Sequence, residues 1–245
     1  MTILITGGTG TLGRPTAAAL RAADHDVQVL SRHAGDGRRV GDLSSGAGLA
    51  AALDGVDTVV HLATTRWRDH KQTRRLLDAA SAATVSHFVF ISIVGVDHIH
   101  YGYYRDKVVC ERLIAESGVP FTILRATQFH DFVAQFLRPQ RRWPWMTVLD
   151  IDDQPIAVEE VAARLAELTV AAPAGRVADI GGPERLHLRE FAEQWQRAHG
   201  TRQKIRMLRL GGATIRAFRE GHHMTPLPGY GTETFATFAA REAAK

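Results

Sequence analysis

The stretch ITGGTGTLG, residues 5–13, decides the fold. It follows an apolar, β-branched run, TILIT (2–6), and opens a stretch from Thr11 to Ala22 that reads as a helix. Its glycines satisfy two spacings together, Gly8-x-Gly10-x-x-Gly13 and Gly7-x-x-Gly10-x-x-Gly13. Glycines between a strand and a helix permit a tight turn, close approach of backbone to a pyrophosphate, and close helix–strand packing. The helix N-terminus adds unpaired N–H groups and the positive end of its dipole. Gly7, Gly8, Thr9, Gly10, Thr11, Leu12 and Gly13, with Arg14 just beyond, are therefore expected to hold a dinucleotide. No Gly-Lys-Ser/Thr follows, so a triphosphate P-loop is not expected.

Outward from the loop, short β-rich runs alternate with helix-length segments. DVQVLS (26–31), a short third strand ahead of Asp42, DTVVHLA (57–63), HFVFIS (87–92) and PFTILRA (120–126) read as strands. Gly46 to Leu53, Arg66 to Ala82 and Tyr103 to Ser117 read as helices between them. Continuous apolar strands separated by helices imply parallel βαβ units, hence an α/β, Rossmann-type doubly wound parallel sheet. After residue 126 the rhythm loosens. MTVLDIDDQPIAV (146–158) holds strand pieces, Val158 to Val170 reads as a helix, RVADIGGPE (176–184) as a strand and turn, and His187 to His199 as a helix. The tail GGATIRAFREGHHMTPLPGY reads as helical and then proline-interrupted. The expectation is one domain, 1–245, in which residues from about 126 onward form a small substrate-binding cap.

The second strand ends in Ser31-Arg32, where an Asp or Glu would bind the ribose of NAD and an arginine suits the extra phosphate of NADP. Arg32, with Arg14 as a second candidate, favours NADP(H) over NAD(H). Asp42 and Leu43 are placed at the adenine edge. Leu62, Ala63 and Thr64, after His61 at the end of the fourth strand, run beside the nicotinamide ribose.

Bulk properties exclude several classes. Hydrophobic residues make up 45% and charged residues 23%, which is an ordinary globular balance. No apolar run approaches the ~20 residues of a membrane span, and no basic leader precedes TILIT. The single cysteine, Cys110, permits no internal disulfide and fits a cytoplasmic location. The formal charge is +4, but the densest basic stretch, RPQRRWPW (138–145), is short and proline-broken. It reads as a solvated loop or pocket wall rather than a nucleic-acid contact, and anionic small molecules suit a mildly basic protein equally well.

Taken together, ITGGTGTLG, VLSR, GDL, DTVVHLAT, FVFISIVGVD, YYRDKVVCERLIAESGVPFTILRATQF, QPIAVEEVA and GGPERLHLREFA resemble the atypical short-chain dehydrogenase/reductase group, near its NmrA-like, NAD(P)H-binding branch. The resemblance spans nearly the whole chain. It implies about seven parallel strands, a bound nicotinamide dinucleotide and a C-terminal substrate cap. Many members reduce ketones, quinones or other unsaturated small molecules, and others bind NADP(H) as sensors or regulators.

In that superfamily a Tyr-x-x-x-Lys pair works with an upstream Ser or Thr, and Tyr103, Lys107 and Ser92 match this pattern. Four residues are about one helical turn, so Tyr103 and Lys107 share a face. A nearby ammonium favours the tyrosinate form, which helps the phenol give its proton to a carbonyl oxygen. Tyr101 and Tyr104 are competing phenols without the lysine at that spacing. Ile93 stands at the second of the two positions where many members carry a hydroxyl, so either Ser92 serves or the triad is incomplete.

Gln128, Phe129, His130 and Phe132, after the sixth strand, with Trp143, Trp145 and Met146, are candidates for the substrate wall. His98, His100, His130, His222 and His223 are too scattered for a metal site and are not paired with carboxylates by spacing. Asp152-Asp153 reads as a turn. The function expected is NADPH-dependent reduction of a small carbonyl or quinone-like substrate. A catalytically idle NADP(H) sensor is the alternative, and sugar-nucleotide epimerisation or dehydration a third reading for which the chain is short.

Overall fold

The computed structural model describes residues 1–65 and 67–245. From the N-terminus the elements are β1 (Thr2–Thr6), α1 (Gly13–Ala22), β2 (Asp26–Ser31), β3 (Arg38–Val40), α2 (Leu49–Leu53), β4 (Thr58–His61), α3 (Asp69–Ala82), β5 (His87–Ile93), α4 (Gly102–Glu116) and β6 (Phe121–Ala126). They continue as α5 (His130–Leu137), β7 (Trp145–Leu149), β8 (Asp152–Asp153), α6 (Val158–Val170), β9 (Gly175–Arg176), β10 (Leu186–His187), α7 (Leu188–Ala198), β11 (Lys204–Leu208), α8 (Ala213–Arg219) and α9 (Phe235–Ala243).

Among the described residues the main sheet has seven strands in the order β3-β2-β1-β4-β5-β6-β9. Its pairings β1–β2, β1–β4, β2–β3, β4–β5 and β6–β9 are all parallel. The chain winds outward from β1 on one side and, from β4, on the other. This is the doubly wound α/β, Rossmann-type arrangement, and its reversal between β1 and β4 opens a crevice at the carboxyl ends of those strands. The apolar runs make it so. Leu4, Val59, Phe88 and Phe90 are almost wholly buried and pack with Leu76, Leu77, Cys110 and Ile114 of α3 and α4.

The chain sorts into two compact units. The first comprises Met1–Ser92, Gly102–Arg125 and Val161–Ala178, and the second Ile93–Tyr101, Ala126–Glu160 and Asp179–Lys245. The second unit has its own core, in which Phe191 and Trp195 of α7 meet Phe235 and Phe238 of α9. It carries two-stranded sheets, β7–β11 parallel and β8–β10 antiparallel.

Several elements depart from their sequence expectations. Arg66, expected at the start of the third helix, lies outside the described residues. That helix begins at Asp69, because Arg68 is left-handed (φ 63°) and the Asp69 N–H is held by the Asp106 carboxylate. The strand expected over 176–184 shrinks to Gly175–Arg176 and an isolated bridge between Ala126 and Ile180. Asp152-Asp153 is a short strand rather than a turn. Helices α5 and α9 and strand β11 lie where the sequence offers no clear periodicity.

Candidate functional site

The glycine loop lies at the crevice between β1 and β4. Gly7 is left-handed (φ +70°), and a Cβ there would come within 2.8 Å of the Ala63 backbone. A Cβ on Gly13 would stand 2.1 Å from the Gly7 carbonyl oxygen, so the first turn of α1 closes on the loop only without a side chain. Thr9, Gly10 and Thr11 are exposed, whereas Leu12 is buried. Helix α1 has no side-chain cap and no acidic residue in its first turn, which leaves its positive end open to an anion. Pro15 in that turn costs no helical hydrogen bond. The Arg14 Nε donates to the Thr9 carbonyl (2.8 Å), folding its side chain back along the loop.

Arg32 is exposed just past β2, while Ser31 accepts the His33 N–H (3.1 Å). The Asp42 carboxyl is held below its ordinary range by the Ser44 N–H, the Ser45 hydroxyl and the charge of Arg32. Leu43 packs against the first unit's core.

Tyr103 lies in the first turn of α4, half-buried, and Lys107 lies one turn on at 3% exposure. The Lys107 ammonium donates to the Ile91 carbonyl (3.4 Å), 4.6 Å from the Phe90 ring centroid and 5.8 Å from that of Tyr103. This ties α4 to the end of β5 beside Ser92. The Ser92 hydroxyl is buried and has no partner. Thr64, after β4, brings its hydroxyl 3.4 Å from the Tyr103 phenol and donates to Asp69 at 2.5 Å. Tyr103, Lys107 and Thr64 are thus brought together within the first unit, with Ser92 next in sequence to the carbonyl that Lys107 holds.

Beneath them runs a buried polar chain. The register sets Thr6 opposite His61. The Thr6 hydroxyl is 2.7 Å from His61 Nδ1 and accepts the Ala63 N–H (3.2 Å). His61 Nε2 is 3.0 Å from the Thr73 hydroxyl. Burial, with the charge of Lys107 adding to it, pushes the His61 pKa down to about 3, so the ring is neutral.

Sequence reasoning missed Asp69, Asp106 and His70. The Asp69 carboxylate also accepts from the Thr65 N–H (2.8 Å) and hydroxyl (3.0 Å). Asp106 accepts from the Asp69 N–H and from His70 Nδ1. The available signal was two threonines followed by an aspartate at a helix start, a pattern in which short polar side chains bond nearby backbone.

The candidate wall residues fall in the second unit and are dispersed. Phe132 packs edge-on against Phe136, and Trp143 is 56% exposed. Trp145 carries the Arg206 guanidinium 4.0 Å over its ring. Gln128 and Phe129 are half-buried, and the Gln128 carbonyl accepts the Ile156 N–H (2.8 Å). His130 and Met146 are core. His130 lies against Phe235 and Phe238, its Nε2 3.0 Å from the Glu233 carbonyl, and burial holds its pKa below the ordinary value. A hollow in this unit is lined instead by Arg138, Pro139, Arg141, Arg142 and Thr201. His223, which spacing leaves without a carboxylate, stands 3.6 Å from Asp153. Among the described residues no group of side chains is arranged to hold a metal ion, and no helix is long and apolar enough to cross a membrane.

A glycine-cradled helix end at the switch point of a doubly wound sheet defines a dinucleotide-binding protein. Residues 7–169 match the NAD(P)H-binding family, and the chain belongs to it. The chain is 29% identical to (4-alkanoyl-5-oxo-2,5-dihydrofuran-3-yl)methyl phosphate reductase of Streptomyces griseus, over 98% of this chain and 86% of that protein. It is 26% identical to the photosystem II assembly factor Ycf39 of Cyanophora paradoxa, over 84% and 71%. Its fold superposes on the NADPH complex of the Escherichia coli NADPH-dependent quinone oxidoreductase QOR2 with a TM-score of 0.85, at 20% identity over 98% and 99% of the two chains. The NAD(P)H-binding family and the Rossmann-type fold are both as the resemblance implies.

Proposed function

We propose that the protein is an NADPH-dependent reductase of a small carbonyl or quinone-like substrate. The observation that carries the reading is that Lys107, one turn from Tyr103, donates to the Ile91 carbonyl next to Ser92, whose buried hydroxyl has no partner. A buried hydroxyl without a partner forfeits about 1–3 kcal/mol, which a substrate oxygen bonded to Ser92 would restore. When bound, the dihydronicotinamide supplies hydride to the acceptor carbon. Tyr103 gives its proton to the substrate oxygen, and water returns a proton to the tyrosinate. Lys107 stabilises the tyrosinate and holds the ribose hydroxyls. Gly7, Gly8, Thr9, Gly10, Thr11, Leu12 and Gly13 cradle the pyrophosphate. Arg32, with Arg14, selects NADPH over NADH through its 2′-phosphate. The phosphate reductase and quinone oxidoreductase among the similar proteins support this reading.

A second reading is an NADP(H)-binding protein without turnover. Ile93 where many superfamily members carry a hydroxyl, and the likeness to an assembly factor, favour it. Fluorescence titration with NADPH and NADH, followed by NADPH oxidation with a panel of quinones and activated ketones such as 1,4-naphthoquinone and isatin, separates the two. Turnover that falls about a hundredfold in Tyr103→Phe supports the reductase with Tyr103 as proton donor. NADPH binding without turnover on any panel compound supports the sensor.

A further inference from the structure

We propose that the hollow at Arg138, Arg141, Arg142 and Thr201 in the second unit binds the phosphate monoester group of a small molecule. The proposal goes beyond the reductase reading and does not rest on it.

The sequence RPQRR forms a single 3₁₀ turn, Arg138–Arg142, with Pro139 in its opening residues. Side chains three apart in such a turn eclipse, so Arg138 and Arg141 stand one above the other, with Arg142 next in line. With Pro139 and Thr201 they line a hollow of about 430 Å³, and no carboxylate is among the lining residues. Pockets of roughly 300–1,000 Å³ hold whole small molecules, so this one has room for more than an isolated ion.

Arg138 meets the Glu242 carboxylate at 2.8 Å. Arg141 and Arg142 are exposed, and among the described residues neither forms an ion pair. Arginines that follow a helix commonly meet its last carbonyls. Here Gln140 does that instead, donating to the Phe136 carbonyl (2.9 Å). Its side chain also donates to the Thr147 carbonyl (3.1 Å) and accepts the Thr147 N–H (2.7 Å). Gln203 Nε2 donates to the Gln140 (2.6 Å) and Trp143 (2.9 Å) carbonyls. The backbone that carries the two unpaired guanidiniums is thus fixed from both β7 and residue 203.

Thr201 is an independent observation. Its hydroxyl is buried and has no hydrogen-bond partner, a costly state that a ligand oxygen would relieve. Two guanidiniums and a hydroxyl aim donors in more than one plane. A phosphate monoester has three terminal oxygens and close to two negative charges, so it can engage all three groups. A planar carboxylate has two oxygens and one charge.

The test is calorimetric titration of the full chain with phenyl phosphate, with saturating NADPH to occupy the glycine loop. Phenyl phosphate should bind roughly tenfold more tightly than benzoate. The double variant Arg141→Ala, Arg142→Ala should weaken it about tenfold or more. Arg202→Ala removes an exposed arginine outside the hollow and should change it less than about twofold. Thr201→Val should weaken it about fivefold and cost no stability in urea unfolding, because the hydroxyl it removes is unpartnered in the folded chain. Glu242→Gln releases Arg138 and should tighten binding. No saturable binding of phenyl phosphate overturns the proposal, and so does a loss in Arg202→Ala equal to that in the double variant, which would assign binding to net charge. Thr201→Val that loses stability but keeps binding overturns it as well. Binding only to vesicles of phosphatidic acid, or NADPH affinity that falls with phenyl phosphate affinity in the double variant, would give the arginines to a lipid surface or to the cofactor and overturn it too. The readout is binding, so a protein without turnover leaves the proposal standing.

Discussion

Both units bury polar side chains, but they use them differently. In the first, several of them lie at the ends of β1, β4 and β5, where a ligand is expected. His61 bonds Thr6 through one ring nitrogen and Thr73 through the other, and the Ser92 hydroxyl on β5 has no partner. In the second, they stitch irregular chain. The Gln154 amide is wholly buried, donates to the Gly182 carbonyl (2.9 Å) and accepts from the Thr225 N–H (2.7 Å). His223 donates to the Asp152 carbonyl (3.0 Å) and neighbours Asp153. A long parallel sheet satisfies its own backbone, which frees side chains for function. Short strands do not, and side chains must then satisfy the backbone.

The sharpest way to break this contrast is a pair of substitutions, one in each unit. Gly13→Ala drives a Cβ into the Gly7 carbonyl and should weaken NADPH binding by roughly a hundredfold or more, equivalent to about 3 kcal/mol. Fluorescence titration measures this, with circular dichroism to follow folding. Gln154→Leu should instead cost about 2 kcal/mol of stability, by stranding the Gly182 carbonyl and the Thr225 N–H, and leave NADPH affinity within about twofold. Urea unfolding gives the first number. A Gln154 variant that keeps its stability and loses NADPH would end the division of labour.

Next in size is a dependence on pH. The His61 pKa is pushed down to about 3 by burial and by Lys107, against an unfolded value near 6.5. Between those values the unfolded chain holds a proton at this site that the folded chain refuses. Stability contributed by His61 is therefore full above pH 6.5 and is lost as pH falls toward 3, by ~1.4 kcal/mol per pH unit. His223 and His130 in the second unit are depressed in the same direction, chiefly by burial, so wild type alone does not isolate His61. The decisive measurement is urea unfolding of His61→Gln and wild type from pH 7 to pH 5. The variant's slope should be shallower by about one proton's worth, and equal slopes would assign the acid sensitivity to the other histidines.

How much was legible follows the same division. The runs TILIT and DVQVLS and the Val158–Val170 helix have their expected ends, because continuous β-branched strands and an acidic first turn with sustained periodicity leave little choice. Helix α5 was not legible. Its N-cap, Phe129, offers no side-chain bond, and the aromatics of QFHDFVAQFL mask the period. Strand β11 pairs in parallel with β7 across more than fifty residues, a partnership no local pattern announces. At the candidate site, Tyr103 and Lys107 share one helical turn and were readable by spacing. Asp69 and Asp106 meet only because α3 and α4 pack together, and Asp153 meets His223 seventy residues on. Contacts made by tertiary packing carry no spacing signature.

The smallest expected effect tests whether an exposed arginine in the first unit differs from its counterparts in the second. Arg32 sits past the end of β2, close enough to Asp42 for its charge to help hold that carboxyl low. Arg141 and Arg142 line an open hollow in the other unit. A 2′-phosphate carries more charge than the Asp42 carboxylate and offers a guanidinium two parallel bonds, so it should draw Arg32 away from Asp42. Arg32→Ala should then weaken NADPH about fivefold, near 1 kcal/mol, and leave NADH unchanged. Asp42→Asn, which removes the competitor, should tighten NADPH slightly. Arg141→Ala should alter neither. If Arg32→Ala and Arg141→Ala weaken both cofactors alike, the arginines act only through net charge, and discrimination between NADPH and NADH must be sought at Arg14.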